Sequence, residues 1–451
     1  MSDLIAAVAT ARGSAAIGIL RLSGPGAVEA AAQVFRPASG RPITSYPSRT
    51  LVYGSLHDAQ GRVIDWCLAT VSRAPHSYTG EDTAELQCHG GAALLAAGLE
   101  ALFAAGARQA GPGEFTKRAF LNGRLDLSQA EAVIDLIEAD TAELAAIAAG
   151  QLGGAILSRA EAVHSQLIDI LAHFHAVLDY PDEEIAPFEL ASYVQTLADA
   201  RAQLQQLHDT FRRGRIARSG LATVLLGRPN VGKSSLLNAL AGYDRAIVTA
   251  VPGTTRDTVE ERVRVGGVLL RLIDTAGLRQ TADEVEALGV ARTEAAAQSA
   301  ELALCILDLS RPRTAEDERA LALAQTAPHR LIVGNKRDLP RQQEPPEGTI
   351  CLSARTGEGL DALEAAIAAL VSDAGSAPWD GAVLTNARQA GAVARAIEAL
   401  GRAEQAMQSG MTPDAVLTDV EDAIEALGQL TGRSLREDVV SRIFSRFCVG
   451  K

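Results

Sequence analysis

Residues 227 to 235 read Gly-Arg-Pro-Asn-Val-Gly-Lys-Ser-Ser, a glycine-bounded loop of the residue types that hold phosphate. Apolar Ala222 to Leu226 precede it as a strand, and Ser234 to Leu240 follow it as a helix. Such a loop works only in that strand–loop–helix setting. The amides of Asn230, Val231, Gly232, Lys233, Ser234 and Ser235, with the helix N-terminus, point partial positive charge at phosphate oxygens. Lys233 can reach β- and γ-phosphates, and the Ser234 hydroxyl suits Mg²⁺. The loop implies a bound nucleotide.

Companion motifs follow in order. Thr254-Thr255-Arg256-Asp257, after Gly253, lies between the first helix and the second strand, and Thr255 is the better candidate to complete the Mg²⁺ shell. Asp274-Thr275-Ala276-Gly277 ends a strand; Asp274 can hold Mg²⁺ through water and the Gly277 amide can meet a γ-phosphate. Asn335-Lys336-Arg337-Asp338 follows the strand Leu331 to Val333. The Asp338 carboxylate can accept from both N–H donors on guanine's edge, whereas adenine would leave it badly paired. Ser353-Ala354-Arg355, after Ile350 to Leu352, is placed for its amides to contact the base oxygen. Leu278 occupies the position where Ras-like enzymes carry a water-orienting glutamine, so another polar group must serve. Asp283, Glu284 and Glu286 are the acidic candidates nearby.

These motifs need elements to position them. The segment from about 217 to 376 alternates strands with helices, which implies a mostly parallel sheet. Arg262 to Val265 and Val268 to Ile273 flank Gly266-Gly267, a two-residue hairpin turn. Residues 1 to 122 mix strands (Ile17 to Leu22, Leu51 to Leu56, Val63 to Val71, Ala84 to Cys88) with the helix Ala92 to Ala105. From Leu125 the texture becomes long Ala- and Leu-rich helices, opened by a capping box of Ser128 with Glu131 and broken near Tyr180-Pro181-Asp182. It returns after 375 to 381, with helix starts at Thr412-Pro413 and at Ser434 with Glu437. The expected fold is multidomain: an α+β domain (1–122), a discontinuous all-α domain (123–216 and 377–451), and an inserted α/β P-loop domain (217–376).

Of the 451 residues 47% are hydrophobic, enough for real cores, and net charge is −13, the wrong sign for unspecific nucleic-acid binding. No apolar run approaches the roughly 20 residues of a membrane span, and Met-Ser-Asp does not open a signal peptide. Cys67, Cys88, Cys305, Cys351 and Cys448 are scattered, as reduced thiols of a cytoplasmic protein are. His173 and His175, two apart on a helix, face different ways and make a poor metal pair. Arg433, Arg436, Arg442 and Arg446 form a basic stripe, read as a solvated helix face or as an RNA contact.

The strings Gly-Arg-Pro-Asn-Val-Gly-Lys-Ser-Ser, Gly-Thr-Thr-Arg-Asp and Asp-Thr-Ala-Gly-Leu-Arg, the stretch from Gly111 to Val133 and the terminal Phe-Cys-Val-Gly-Lys resemble the MnmE (TrmE) family of tRNA modification GTPases. The resemblance covers the whole chain and implies a folate-binding dimerisation domain, a helical domain split by an inserted G domain, and a C-terminal cysteine motif. It implies a GTP site that includes Thr249, Ala250, Val251, Pro252, Gly253, Thr254 and Thr255. It implies potassium held by Asn230, Thr249, Thr254 and the Val251 carbonyl, where the cation offsets transition-state charge as an arginine finger does. Glu286 is implied as the water-polarising carboxylate and Cys448 as a functional thiol. Arg21, Glu85, Arg124 and Lys451 are implied contacts to formyl- or methylene-tetrahydrofolate. Arg124 and Arg355 stand where the family commonly has lysine, and Val449 where it has isoleucine. The implied partners are a second copy, tRNA, and an MnmG (GidA) flavoprotein that alone carries FAD, in a heterotetramer away from any membrane. The rival reading is a regulatory or ribosome-assembly GTPase with no modification chemistry.

Overall fold

The computed structural model describes residues 3–11, 13–179, 190–243, 261–273, 294–372, 381–411, 413–433, 440, 443–445 and 447–450. The chain divides into two compact units, Met1–Ile134 with Gly428–Lys451, and Asp135–Leu427.

In the first unit, seven strands form one sheet: β1 (Ile5–Val8), β2 (Ala15–Ser23), β3 (Phe35–Pro37), β4 (Val52–His57), β5 (Val63–Ser72), β6 (Thr83–Gly90) and β7 (Arg108–Gln109). Their order is β3-β4-β5-β6-β2-β1-β7, antiparallel except for β1 against β7. Period-two alternation sends Leu20, Leu22, Cys67, Ala69, Leu86 and Cys88 to one face, where the helices Ala27–Val34 and Ala92–Ala104 cover them. Ile5 and Ala7 point the other way, toward Phe115 of the helix Glu114–Leu121. The tail belongs to this unit: Val449 bridges Pro112, and the Gly113 amide donates to the Cys448 carbonyl at 3.1 Å.

The expected capping box is displaced. Ser128 lies within the helix Leu127–Ile137, fully buried. The cap is Asp126, whose Oδ1 accepts from the Gln129 amide at 3.0 Å while Gln129 Oε1 accepts from the Asp126 amide at 2.9 Å. An acid two residues upstream offers the same reciprocal geometry as a serine, and here it prevails.

In the second unit, β8 (Leu221–Leu226), β9 (Glu261–Val265), β10 (Val268–Leu272), β11 (Leu302–Asp308), β12 (His329–Asn335) and β13 (Ile350–Cys351) form a sheet in the order β13-β12-β11-β8-β10-β9. Only β9 runs antiparallel, joined to β10 through Gly266 (φ 56°) and Gly267 (φ 81°). Both turn residues need positive φ, which side chains other than glycine's resist. All seven residues of β11 are buried, so this central strand shows no alternation in sequence.

Helices flank the sheet in sequence on both sides: Ala142–Leu152, Ala155–Asp179, Leu190–Asp209 and Phe211–Ser219 before it, Ala387–Gln408 and Pro413–Thr431 after it. Pro413 occupies the first helical position, as expected. The break near Tyr180 and the helix start at Ser434 with Glu437 lie outside the described residues. Phe211–Ser219 carries arginines that reach several segments: Arg213 pairs with Glu143 at 2.7 Å, Arg218 with buried Asp135 at 2.8 Å, and Arg215 with Glu301.

Candidate functional site

The phosphate loop begins where β8 ends at Leu226, and the helix Lys233–Tyr243 leaves it. Asn230 turns with φ 62°, and Gly232 packs against the Asn335 side-chain amide so closely that any Cβ would overlap it. Lys233 folds back on its own loop, donating to the carbonyls of Gly227 and Arg228. Burial holds its pKa below the usual lysine value. Ser234 and Ser235 are exposed at the helix start.

Asn335, at the carboxyl end of β12, is the hub of this site. Its Nδ2 donates to the Val231 carbonyl at 2.9 Å, and its Oδ1 accepts from the amides of Lys336 at 2.8 Å and Ala354 at 3.0 Å. Lys336 (φ 65°) adds a second brace, from its ammonium to the Asn230 carbonyl at 2.9 Å and to Asp308 at 2.7 Å. Ser353 Oγ donates to Asp338 Oδ1 at 2.7 Å, leaving that exposed carboxylate aimed by a buried hydroxyl. Parallel strands end side by side at this edge, which is where an open α/β sheet places its ligand.

In the turn Ser353-Ala354-Arg355 the Ala354 amide donates to Asn335 and the Ser353 amide to the Glu358 carbonyl at 2.9 Å, while the Arg355 side chain is exposed. Asp308 went unnamed. Burial raises its carboxyl pKa, but the hydrogen bonds from Lys336 and Ser310 outweigh that and hold it below the usual range. Its signal was an acid closing an otherwise apolar run, Leu-Ala-Leu-Cys-Ile-Leu-Asp.

The described residues therefore bring together Asn230 to Lys233, Asn335 to Asp338 and Ser353 to Ala354. Thr249 to Thr255, Asp274 to Gly277, Leu278, Asp283, Glu284 and Glu286 lie outside the described residues. Of the Mg²⁺ candidates Ser234 stands exposed on the helix's first turn, and of the potassium candidates Asn230 stands exposed at the bend of the loop.

The first unit gathers a second group. Arg21 and Glu85 are cross-strand neighbours on β2 and β6, and their side chains pair at 2.8 Å. The Arg21 guanidinium lies 5.8 Å from the Tyr78 ring and 5.7 Å from that of Phe115, and it donates to the Gly450 carbonyl at 3.4 Å. Arg124 is exposed beside the loop at Gly80, and Lys451 lies outside the described residues. Next to this group Glu114 takes both nitrogens of Arg108, at 2.6 and 2.9 Å, and Arg118 ties it to Glu81 and Asp3. Burial pushes the Glu114 carboxyl up, but the Arg108 fork and the Gly111 amide outweigh it and bring the pKa to about 2. Cys448 is exposed and lines a cavity of about 800 Å³ with Val8, Thr10, Leu95, Leu99 and Gln109.

Among the described residues no group of three metal-ligating side chains occurs, and no helix is long and apolar enough to cross a membrane. Arg436, Arg442 and Arg446 of the basic stripe lie outside the described residues.

The mostly parallel sheet thus carries a glycine loop at its carboxyl edge, with an Asn-Lys-x-Asp turn braced against that loop. Models of the TrmE GTP-binding protein N-terminus and of the MnmE helical domain match residues 4–124 and 127–448. The chain belongs to the MnmE family. It is 45% identical to the tRNA modification GTPase MnmE of Chloroflexus aurantiacus over 100% of both chains. It is 45% identical to that of Symbiobacterium thermophilum and 43% to that of Geobacillus kaustophilus, each over 100% of this chain and 99% of the relative.

Proposed function

We propose that the chain is a potassium-dependent GTP hydrolase acting with an MnmG (GidA) flavoprotein in the cytoplasm. Together they install an aminomethyl or carboxymethylaminomethyl group at carbon 5 of the tRNA wobble uridine, from a tetrahydrofolate one-carbon unit. The observation that carries this reading is the braced set Val231–Asn335–Ala354 beside Asp338, in a chain aligned end to end with relatives named tRNA modification GTPases. In this reading residues 1–122 bind folate and dimerise, 217–376 are the inserted G domain, and 123–216 with 377–451 are the helical domain.

The mechanism follows from the residues. Incoming phosphates draw the Lys233 ammonium from the carbonyls of Gly227 and Arg228. Asp338, aimed by Ser353, accepts the two N–H donors of guanine. Mg²⁺ at Ser234 and Thr255, and K⁺ at Asn230, Thr249, Val251 and Thr254, supply positive charge to the phosphate oxygens when bound. Glu286 orients the attacking water once two G domains meet. Arg21, Glu85, Arg124 and Lys451 form the folate contacts, and Arg21 opens from Glu85 so that each can pair with the ligand. The test is nucleoside analysis of tRNA from a strain lacking the gene. The wobble-uridine modification should be missing, and finding it intact overturns the reading.

A further inference from the structure

We propose that Arg228 is a positioning residue for the nucleotide, acting through a buried ion pair with Asp317; the assignment rests on the nucleotide-binding reading above. Arg228 is the second residue of the phosphate loop, and its guanidinium reaches the first turn of the helix Ala315–Ala324. Its Nε lies 3.4 Å from Asp317 Oδ1; Asp317 is fully buried, and the Arg228 side chain is 12% exposed. Asp317 Oδ2 is already satisfied, accepting from the Thr314 amide and hydroxyl at 3.0 Å each. Oδ1 accepts no hydrogen bond, and Arg228 Nη2 donates none among the described residues.

Arg228 Nε and Asp317 Oδ1 thus form a buried ion pair that stops short of a hydrogen bond, and each group keeps an unbonded polar atom. From 3.4 Å, a shift of a few tenths of an ångström with a better-aligned N–H turns the Nε–Oδ1 contact into a hydrogen bond. In the proposal the restraint on the loop is the Lys233 ammonium, which binds the carbonyls of Gly227 and of Arg228 itself. A phosphate that takes the ammonium away frees that first turn. The turn then settles onto the helix, and Arg228 bonds Asp317. Binding of nucleotide and closure of the ion pair are thereby linked, and linkage is reciprocal. Arg228 touches no substrate in this scheme; it sets where the loop's amides sit.

The test is a double-mutant cycle read by fluorescent GDP and GTP analogue binding and by steady-state hydrolysis. The variants are Arg228→Gln, Asp317→Asn, both together, and Arg228→Lys. Asparagine at 317 still offers Thr314 an acceptor, so the helix start is kept. Each single change should raise the nucleotide dissociation constant about tenfold, and the double should be no worse than either. Turnover at saturation should stay within about twofold, because the lost interaction acts on binding. Arg228→Lys should recover part of the affinity, and it closes the cycle with Asp317→Asn if Arg228→Gln does not fold. Unchanged affinity in the single variants, or effects that multiply in the double, overturns the proposal while the nucleotide-binding reading stands. An unmodified chain that binds no guanine nucleotide overturns both.

Discussion

Asn335 Nδ2 donates to the Val231 carbonyl at 2.9 Å, so one buried side chain on β12 ties the Asn-Lys-Arg-Asp turn to the glycine loop. The same amide group holds the Ala354 loop through its oxygen. The two loops are thus registered to each other by one side chain, and in the proposed function they grip opposite ends of a nucleotide.

Asn335→Ala should therefore damage more than one contact. The Val231 carbonyl and the amides of Lys336 and Ala354 all lose a partner. Chemical denaturation should show a loss of about 2–4 kcal/mol, with each orphaned group costing about 1 kcal/mol or more. Nucleotide titration should show a parallel loss of affinity of at least about tenfold.

Asp338→Asn should change which base is accepted. An amide nitrogen can donate to the second carbonyl of xanthine, while the guanine amino group loses its acceptor. Competition binding should show guanine nucleotides weakened by about a hundredfold or more relative to xanthine nucleotides. Equal weakening of both would place Asp338 outside the base site.

Acid should loosen the first unit through Glu114. Its folded pKa, about 2, lies below its ordinary value of 4.5. A depressed carboxylate stabilises the fold above its unfolded pKa, and that contribution fades as pH falls from about 4.5 toward 2. Partial exposure limits the contribution to about 1–2 kcal/mol. Thermal melts of Glu114→Gln should be less stable than the parent at pH 7 and should flatten across the acid window.

Potassium should accelerate GTP hydrolysis and sodium should not, since the smaller ion cannot span the same carbonyl and amide oxygens. Equal rates in the two salts would remove Asn230 from its proposed role. Glu286→Ala should slow hydrolysis while leaving GTP affinity nearly intact, measured by single-turnover kinetics.

Much of this was legible in the residues because local chemistry leaves few alternatives. Gly266-Gly267 between apolar runs specified the β9–β10 hairpin, and the phosphate loop announced its flanking strand and helix. The misplaced cap shows where local reading falters: Asp126 with Gln129 and Ser128 with Glu131 are overlapping signals of the same kind. The short strands β1, β3 and β7 left little periodicity to read, and β11 left none because both its faces are buried. Asn335 was expected at the nucleotide site, but its role as a brace depends on Val231 and Ala354, which are far away in sequence. The pairing of Arg21 with Glu85 likewise follows from strand register, which no single segment encodes.

The helix Phe211–Ser219 looks from its composition like a landing strip for a polyanion. Yet Arg213, Arg215 and Arg218 are each neutralised by a carboxylate from another segment, and Arg212 donates to His329. Three of its four positive charges are spent as internal mortar. A polyanion seeking those three would first have to dissolve the joints they make.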